Sequence, residues 1–358
     1  MTRLGWILCV TMLLGTTDSL VMPASARDKT DVIVMRNGDR ITGEVKQLEN
    51  GVLKVDLDYV DGTISIDWLK VDRLESTALF LVQLQDGSVF TASIVKRETI
   101  PGTPVKIEIQ PAGRESMTIE RSQVVTMTQT SESVWQRLSG SVTLGATYSK
   151  GNSTTQYNIG SDLDYLETRW GARATYGSTL SSSTGAPTAT RNSVDLLGYR
   201  LLPWKNYFYA GTAGLLQSSV QGIERQTNVG ISIGRFLRNT NRLRFSVLGG
   251  LGWQRANYVA STGPNPVQNT GVALISSNLQ VFRFKKTRLN IDAAMAPALT
   301  PQTGRIFSKV NAAYYLKLFG EVDWNLSFYG NWDTRPPNHF ASSDYGSSTG
   351  LSWTFGNK

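Results

Sequence analysis

The sequence contains a single cysteine, Cys9, and a single histidine, His339, in 358 residues. A disulfide framework needs at least two cysteines, and thiolate and histidine clusters are the usual ligands of zinc. A disulfide-stabilised domain and a His-rich or Cys-rich metal site are therefore excluded. A Ser-His-Asp triad could be built around one histidine only. We expect no cofactor, no metal and no enzymatic activity.

Charge and long apolar runs are also scarce. Charged residues make up 18% of the chain, below the ~25% of ordinary soluble domains. No segment after residue 26 has the uninterrupted run of ~18 apolar residues expected of a membrane-spanning helix. Hydrophobic residues nevertheless amount to 40%, which is too many for an intrinsically disordered chain. The sequence therefore predicts an ordered protein without helical spans.

Residues 1–26 have the layout of a secretory signal peptide. Arg3 precedes an apolar run from Leu4 to Gly15, and the segment ends in Ala24-Ser25-Ala26. A basic start, a short apolar core and an A-x-A site predict cleavage after Ala26. The alternative is a membrane anchor, but the apolar core is shorter than the ~20 residues of a spanning helix.

Residues 27–130 contain a repeat. The segment DVIVMRNGDRITGEV, residues 31–45, matches FLVQLQDGSVFTASI, residues 80–94, at an offset of 49, and residues 63–71 match 116–124 at an offset of 53. Asn37-Gly38 and Asp86-Gly87 predict type I′ hairpin turns between β-rich runs. Two copies of roughly 50 residues predict two small five-stranded barrels or one duplicated sheet.

The repeat resembles bacterial SH3-like or Sm-like small barrels. An Sm-like strand pair raises the question of nucleic-acid binding. Residues 27–135 contain 13 Lys and Arg against 17 Asp and Glu, a net charge of −4. An acidic module binds phosphate backbones poorly, so we expect no nucleic-acid partner and favour a structural or docking role.

Residues 138–358, after a linker at 131–137, alternate residue by residue between apolar and polar side chains. Leu243, Phe245 and Val247, for example, oppose Arg244 and Ser246. Alternation with a period of two places the two sets on opposite faces of a strand. The runs are about 10–14 residues long, beyond the 5–6 of typical soluble strands. This pattern predicts an all-β transmembrane antiparallel barrel with lipid outside and a polar interior.

Twelve strands can be assigned, an even number as in single-chain bacterial barrels. The fourth is the least regular, because Leu197, Tyr199 and Leu201 blur its two faces. The predicted strands are 138–149, 154–166, 170–180, 191–202, 206–218, 226–237, 242–258, 269–283, 288–299, 305–318, 321–332 and 345–355.

The connections suggest an orientation. Those at 167–169, 203–205, 238–241, 284–287 and 319–320 are short, whereas most of those at the other end are longer. Short turns face the periplasm and long loops the outside. We expect a protein of the Gram-negative outer membrane whose N-terminal module lies in the periplasm. The final LSWTF, residues 351–355, resembles the C-terminal signal read by the outer-membrane assembly machinery, although three residues follow it.

The start of the barrel carries a family resemblance. The stretch WQRLSGSVTLGATYSKGNSTTQYNIGSDLDY places Gly145, Gly151, Asn152 and Ser153 before Gly160 and Asp162. It resembles an uncharacterised bacterial family of salt-induced outer membrane proteins, whose members often carry an NGDxITGEV-type module in front. The resemblance implies an outer-membrane barrel of unknown biochemical role, with no catalytic residues to carry over.

Charged residues at predicted inward positions are the candidate functional residues of the barrel. Opposed charges in a lumen can select and orient solutes, or they can pair and close a narrow barrel. Twelve strands lie between the filled 8-stranded and the open 16-stranded barrels, so both alternatives remain. The candidates are Asp162, Asp164, Arg173, Asp195, Arg244, Asp292, Lys309 and Asp323.

The barrel region, residues 136–358, carries 22 Lys and Arg against 10 Asp and Glu, a net charge of +12. Part of this charge gathers at the predicted periplasmic turns. A basic rim can meet phospholipid phosphates, or it can hold the acidic module over the pore. The rim candidates are Arg235, Arg238, Arg242, Arg283, Lys285, Lys286 and Arg288.

Three functions remain open from the sequence. The first is a narrow or gated channel for small solutes with a periplasmic regulatory module. The second is a closed barrel that anchors this module as a scaffold for an unidentified periplasmic partner, in a salt or envelope-stress response. The third is an outer-membrane hydrolase using His339 with a nearby serine, which lacks a nucleophile elbow and is disfavoured.

Overall fold

The computed structural model describes residues 29–95, 104–111, 113, 115–130, 138–149, 154–166, 169–202, 206–259, 267–283, 287–336 and 340–355. The predicted signal peptide, the linker, Lys285, Lys286 and His339 lie outside these ranges. Among the described residues, no helix is long and apolar enough to cross a membrane.

The N-terminal module is a nine-stranded antiparallel sheet with two short 3₁₀ turns, Trp68–Lys70 and Arg121–Gln123. Its order is β4-β3-β2-β1-β5-β6-β7-β8, and β9 pairs with both β2 and β5. The duplication predicted from the sequence is therefore built as one sheet. The strands are β1 (Asp31–Met35), β2 (Arg40–Glu49), β3 (Val52–Asp56), β4 (Thr63–Asp67), β5 (Val71–Leu84), β6 (Val89–Val95), β7 (Lys106–Pro111), β8 (Met117–Glu120) and β9 (Val124–Gln129).

The two sequence copies share strand β5. Its first part pairs with β1, and its second part pairs with β9. The copies also meet at Trp68 and Arg121, which are equivalent at the offset of 53. The indole Nε1 of Trp68 donates a 3.1 Å hydrogen bond to the carbonyl of Arg121. One apolar core, which includes Ile33 and Phe80 from different copies, runs through the module.

The two predicted hairpin turns are present, but they are not type I′. That type requires positive φ at both central residues, whereas Asn50 and Asn206 are the non-glycine positions with positive φ in the described chain. Gly38 and Gly87 have φ of 90° and 82°, and their amides bond back to Met35 and Leu84 at 2.9 Å. Each loop is thus a tight turn followed by a left-handed glycine, because the NG and DG signals specify the glycine more strongly than the turn type.

The C-terminal domain is a closed antiparallel barrel of twelve strands, as predicted. Each strand pairs with its neighbours in the chain, and β10 closes the barrel on β21. The strands are β10 (Leu138–Ser149), β11 (Thr154–Leu166), β12 (Trp170–Ser182), β13 (Ala189–Leu201), β14 (Tyr207–Ser218), β15 (Ile223–Asn239), β16 (Leu243–Tyr258), β17 (Val267–Arg283), β18 (Thr287–Thr300), β19 (Ile306–Phe319), β20 (Val322–Asp333) and β21 (Ser343–Phe355).

The two faces of the barrel wall differ in chemistry. Large apolar side chains are exposed on the outside, whereas buried inward positions are mostly polar, such as Ser141, Asn325 and Ser352. A closed barrel has no free edge strand, so every strand of the wall has a hydrogen-bonded neighbour on each side. The exposed outward residues include Leu144, Ile159, Leu196, Leu215, Ile231, Ile233, Leu251, Ile275, Met295, Leu326 and Leu351.

Both ends of the barrel chain lie at one rim, because β10 starts and β21 ends there. We call this rim the module-side mouth. The module packs against it through Val89 and through the turns at 49–52 and 85–88. The opposite rim carries the connections 183–188, 219–222 and 301–305.

Candidate functional site: the lumen and its covered mouth

The charged residues predicted to line the lumen lie on the inward face of seven strands. Near the module-side mouth, Arg173 Nε of β12 bonds Asp164 Oδ1 of β11 at 2.6 Å. Asp162 accepts 3.3 Å hydrogen bonds from Thr175 Oγ1 and from the hydroxyl of Tyr315, which reaches it from β19. Lumen side chains from non-adjacent strands are thus in contact.

A second bond crosses the middle of the barrel. Lys309 Nζ of β19 forms an ion pair with Asp195 Oδ2 of β13. These strands are six apart in a ring of twelve, so they belong to opposite walls. The pair therefore spans the lumen. Asp292, a third predicted position, accepts a 2.6 Å bond from Asn278 of the neighbouring strand.

The rim opposite the module holds a further network centred on Arg305. Its Nε donates to Asp333 at 2.8 Å, and its other nitrogens reach Gln268 at 2.7 Å and Tyr258 at 3.0 Å. The guanidinium is almost completely buried. Charge-assisted hydrogen bonds of this kind are the stronger class, so β16, β17, β19 and β20 are tied together here.

A similar cluster surrounds Arg191 at the same rim. Its guanidinium lies 3.9 Å from Asp344 and 4.7 Å from the ring centre of Tyr329. Asp344 accepts a 2.7 Å bond from Ser218. Neither Arg191 nor Arg305 was among the predicted lumen residues, because each lies at the start of a strand. Their partners come from strands distant in sequence.

The module-side mouth has an apolar side. Leu197, Tyr199 and Leu201 point inward, where they gather with residues of β14–β16. Val89 of the module packs against this apolar cluster. This contact explains why the fourth predicted strand, β13, lacks a regular alternation. Its inward residues at this end pack against protein and are therefore apolar. The cluster comprises Val89, Leu197, Tyr199, Leu201, Phe208, Ala210, Phe236 and Leu248.

Two turns of the module touch two turns of the barrel. Asn206 Nδ2 donates a 2.9 Å hydrogen bond to the carbonyl of Gln85. A Cβ on Gly87 would lie 2.4 Å from the Asn206 amide nitrogen, and one on Gly51 would lie 3.0 Å from the Asn241 carbonyl oxygen. Both glycines also have positive φ, so backbone conformation and close approach each favour glycine here.

Glu49, at the end of β2 in the module, faces inward residues of this mouth. Its carboxylate is within electrostatic range of Arg244 on β16, Arg288 on β18, and both Arg173 and Asp164 on the opposite side. Side chains from several walls surround it, so the β2–β3 hairpin covers the opening. Burial raises the pKa of the Glu49 carboxyl above its usual value, and the three arginines only partly offset this rise.

The predicted basic rim is divided by the structure. Arg235, Arg238 and Arg242 are exposed, whereas Arg288 points inward and stacks over Tyr315 at 4.1 Å. The side chain of Arg283 lies outside the described part of the molecule. In the described part, the module contacts Asn206, Asn241 and the apolar cluster. The exposed rim is therefore a separate surface.

No group of three or more metal-binding side chains occurs in the described ranges. Arg244 and Asp323 are the two remaining lumen candidates. In the strand register, Asp323 lies opposite Lys317 on one neighbouring strand and opposite Ser352 on the other. The chemistry available in the site is thus ion pairing, hydrogen bonding and steric closure.

The chain has similarities to known families and folds. A family model described as a protein of unknown function, DUF481, matches residues 142–355. No curated protein matches the chain.

The chain is similar to several solved structures. One is the translocator domain of the autotransporter NalP from Neisseria meningitidis, with 15% identity and a TM-score of 0.32. This match covers 61% of this chain and 87% of that one. A porin refined at 1.8 Å matches at 9% identity and a TM-score of 0.27, covering 61% and 99%. CdiB from Acinetobacter baumannii matches at 9% identity and a TM-score of 0.32, covering 77% and 66%.

Proposed function

The protein belongs to the DUF481 family, a family of unknown function, and we propose that it is a narrow, gated channel for small solutes in the Gram-negative outer membrane. Its module acts as the stopper of the periplasmic mouth. The observation that carries the proposal is the docking of the module on this mouth, where Asn206 donates a hydrogen bond to Gln85 and Val89 packs into the apolar cluster.

Membrane insertion is supported by the outer wall. Its strands have 12–17 residues, and a tilted spanning strand needs ~9–11. Ile231, with 74% of its surface exposed, and Leu144 and Leu251, with 60% each, face outward. Such a continuous apolar belt is stable against lipid but would be costly in water.

The proposed orientation places the module in the periplasm. The described turns at the module-side mouth are short, such as 240–242 and 320–321, whereas 183–188 at the other rim is longer. Short turns are typical of the periplasmic side. Residues 1–26 are proposed to direct export and to be removed, and the assembly machinery is proposed to insert the barrel.

A passage is supported by the chemistry of the lumen. Its residues are charged or polar and bonded in pairs, such as Arg173 with Asp164. Ion pairs and hydrogen bonds of this kind can exchange partners with water, which an apolar core cannot do. A channel of this type admits small polar solutes when the module leaves the mouth and the crossing pairs separate.

A second candidate is a closed barrel that anchors the module for a periplasmic partner. The ion pair of Lys309 with Asp195 favours it, because this bond joins opposite walls of the lumen without any contribution from the module. Induction by salt and a role in envelope stress are part of this alternative. Neither candidate needs catalysis, a cofactor or nucleic acid, and we propose that the protein is not an enzyme.

Solute uptake by proteoliposomes distinguishes the two candidates. The chain from residue 27 onward is reconstituted as wild type and as the double variant Lys309→Ala/Asp195→Ala, which removes both partners of this pair together. A channel predicts slow sugar uptake by the wild type and faster uptake by the double variant. No uptake by either protein, with folding verified by heat-modifiable gel migration, would favour the anchor.

A further inference from the structure

Exposed arginines are concentrated on the outside of the module-side mouth along strands β12–β15. Arg200 on β13 and Arg235 on β15 point outward. Arg169, Arg238 and Arg242, next to the neighbouring turns, are also exposed. This surface is separate from the inward arginines that surround Glu49.

Aromatic side chains flank these two arginines. Arg200 is in register with Trp170 on one side and with Tyr209 on the other, and both rings are 47% exposed. The guanidinium of Arg235 lies 5.1 Å from the ring centre of Tyr207, its cross-strand neighbour. Aromatic rings at this level mark the boundary between hydrocarbon and headgroups.

Guanidinium groups at this boundary attract anions. In the described ranges, no carboxylate forms a salt bridge with Arg200 or Arg235, whereas Arg173 and Arg305 inside the barrel are paired. A guanidinium binds phosphate through two parallel hydrogen bonds. In a bilayer, the phosphate of a lipid headgroup is the anion available at this depth.

The opposite wall provides a contrast. At the same end of β19–β21, the exposed outward residues are Leu318, Phe319 and Trp353. The indole of Trp353 donates a 3.1 Å hydrogen bond to Glu321. Among the described residues, this part of the girdle therefore faces lipid without an arginine pair, unlike the sector of β12–β15.

We propose that Arg200 and Arg235, flanked by Trp170, Tyr207 and Tyr209, form a binding site for the phosphate of an anionic phospholipid in the inner leaflet. The choice of phospholipid over lipopolysaccharide rests on the proposed orientation, which puts the module-side mouth in the periplasm. The site itself depends only on the outer surface and is independent of whether the barrel conducts.

The test counts bound lipid. The chain from residue 27 onward is placed in nanodiscs of phosphatidylcholine with phosphatidylglycerol, released, and weighed with its retained lipids by native mass spectrometry. Wild type is expected to retain phosphatidylglycerol selectively. Arg200→Gln/Arg235→Gln is expected to bind it about fivefold more weakly for each arginine removed.

Matched controls exclude a general charge effect. Arg225 and Arg255 are exposed arginines at the other end of β15 and β16, and Arg225→Gln/Arg255→Gln makes the same charge change. This control is expected to retain phosphatidylglycerol like wild type. Equal loss in both variants, or no selectivity in the wild type, overturns the site.

Two further measurements keep the result unambiguous. Arg200→Lys/Arg235→Lys keeps the charge but loses the planar guanidinium that bonds phosphate through two nitrogens, so an intermediate retention of phosphatidylglycerol is expected. Heat-modifiable gel migration verifies that each variant is folded. Replacing phosphatidylglycerol by lipid A tests the source of the phosphate. Stronger selection of lipid A overturns the assignment to phospholipid and, with it, the proposed orientation.

Discussion

The side-chain amide of Asn206 in the barrel donates a 2.9 Å hydrogen bond to the backbone carbonyl of Gln85 in the module. Asn206 has a left-handed φ of 63°, which asparagine tolerates better than most residues. This bond fixes one module turn on the rim. The neighbouring apolar cluster and the β2–β3 hairpin extend the contact across the mouth.

Replacing Asn206 by aspartate should loosen this contact. Aspartate also tolerates left-handed φ, but it has no amide donor and faces the Gln85 carbonyl with a charge. A lost hydrogen bond corresponds to about 1 kcal/mol, so hydrogen exchange in residues 84–89 should become about fivefold faster. Unchanged exchange there would mean that the turn is held by other contacts.

Val89→Asp should release the module from the apolar cluster. A carboxylate placed against Leu201 and Phe208 must be desolvated without a partner, which costs more than the ~1–3 kcal/mol of an unpaired neutral polar group. Hydrogen exchange in residues 85–95 should become at least about fivefold faster. The control Val60→Asp changes an exposed valine of the same module and should leave these rates as in wild type.

Gly234 is expected to be sensitive to the smallest side chain. A Cβ there would lie 2.5 Å from Cζ of Phe208, its cross-strand neighbour. Moving this ring disturbs the apolar cluster, so Gly234→Ala should destabilise the barrel by ~1–3 kcal/mol, measured by urea unfolding in lipid vesicles. Gly211→Ala is the matched control, because nothing lies within 4 Å of its Cβ.

Docking of the β2–β3 hairpin should depend on pH through Glu49. Burial raises the pKa of its carboxyl from the usual 4.5 when the module is docked, so the docked state holds the proton more tightly. Docking is then strongest below pH 4.5 and weakens as pH rises through the higher docked pKa. The groups that face this carboxyl are Arg244, Arg288, Arg173 and Asp164. They are the same in the Glu49→Gln control, so their contribution cancels in the comparison.

The measurement is hydrogen exchange in residues 47–54, corrected for the intrinsic pH dependence of amide exchange. Wild type should become less protected between pH 4.5 and neutral pH. Glu49→Gln has no charge to desolvate, so its hairpin should stay protected over this range. An identical pH dependence of exchange in both proteins would show that Glu49 is not responsible, and the effect would then be assigned to carboxyl groups of the lumen.

The barrel could be predicted from the sequence because its strands obey a strict physical rule. Lipid on one side and polar groups on the other impose an alternation of period two over long strands. This alternation predicted all twelve strands of the barrel. The irregular positions Leu197, Tyr199 and Leu201 also have a structural reason. They are apolar residues on an inward face, and they form part of the surface on which the module docks.

The contacts across the lumen could not be predicted in the same way. Lys309 and Asp195 were both recognised as lumen candidates, but their pairing depends on the closure of the barrel. Arg191 and Arg305 lie at strand starts, where alternation gives little information. Glu49 was missed because its environment comes from another domain, and no local pattern in β2 indicates that contact.

Single-channel conductance in planar bilayers tests the central claim, that the module closes the mouth. It compares the chain from residue 27 onward as wild type, as Glu49→Lys and as Glu115→Lys, which makes the same charge change at an exposed site in the β7–β8 turn. A lysine at this half-buried position, facing Arg244, Arg288 and Arg173, should expel the hairpin. The account predicts long openings for Glu49→Lys and mostly closed records for the other two proteins. Records for Glu49→Lys that match those of wild type, with folding verified, would contradict it.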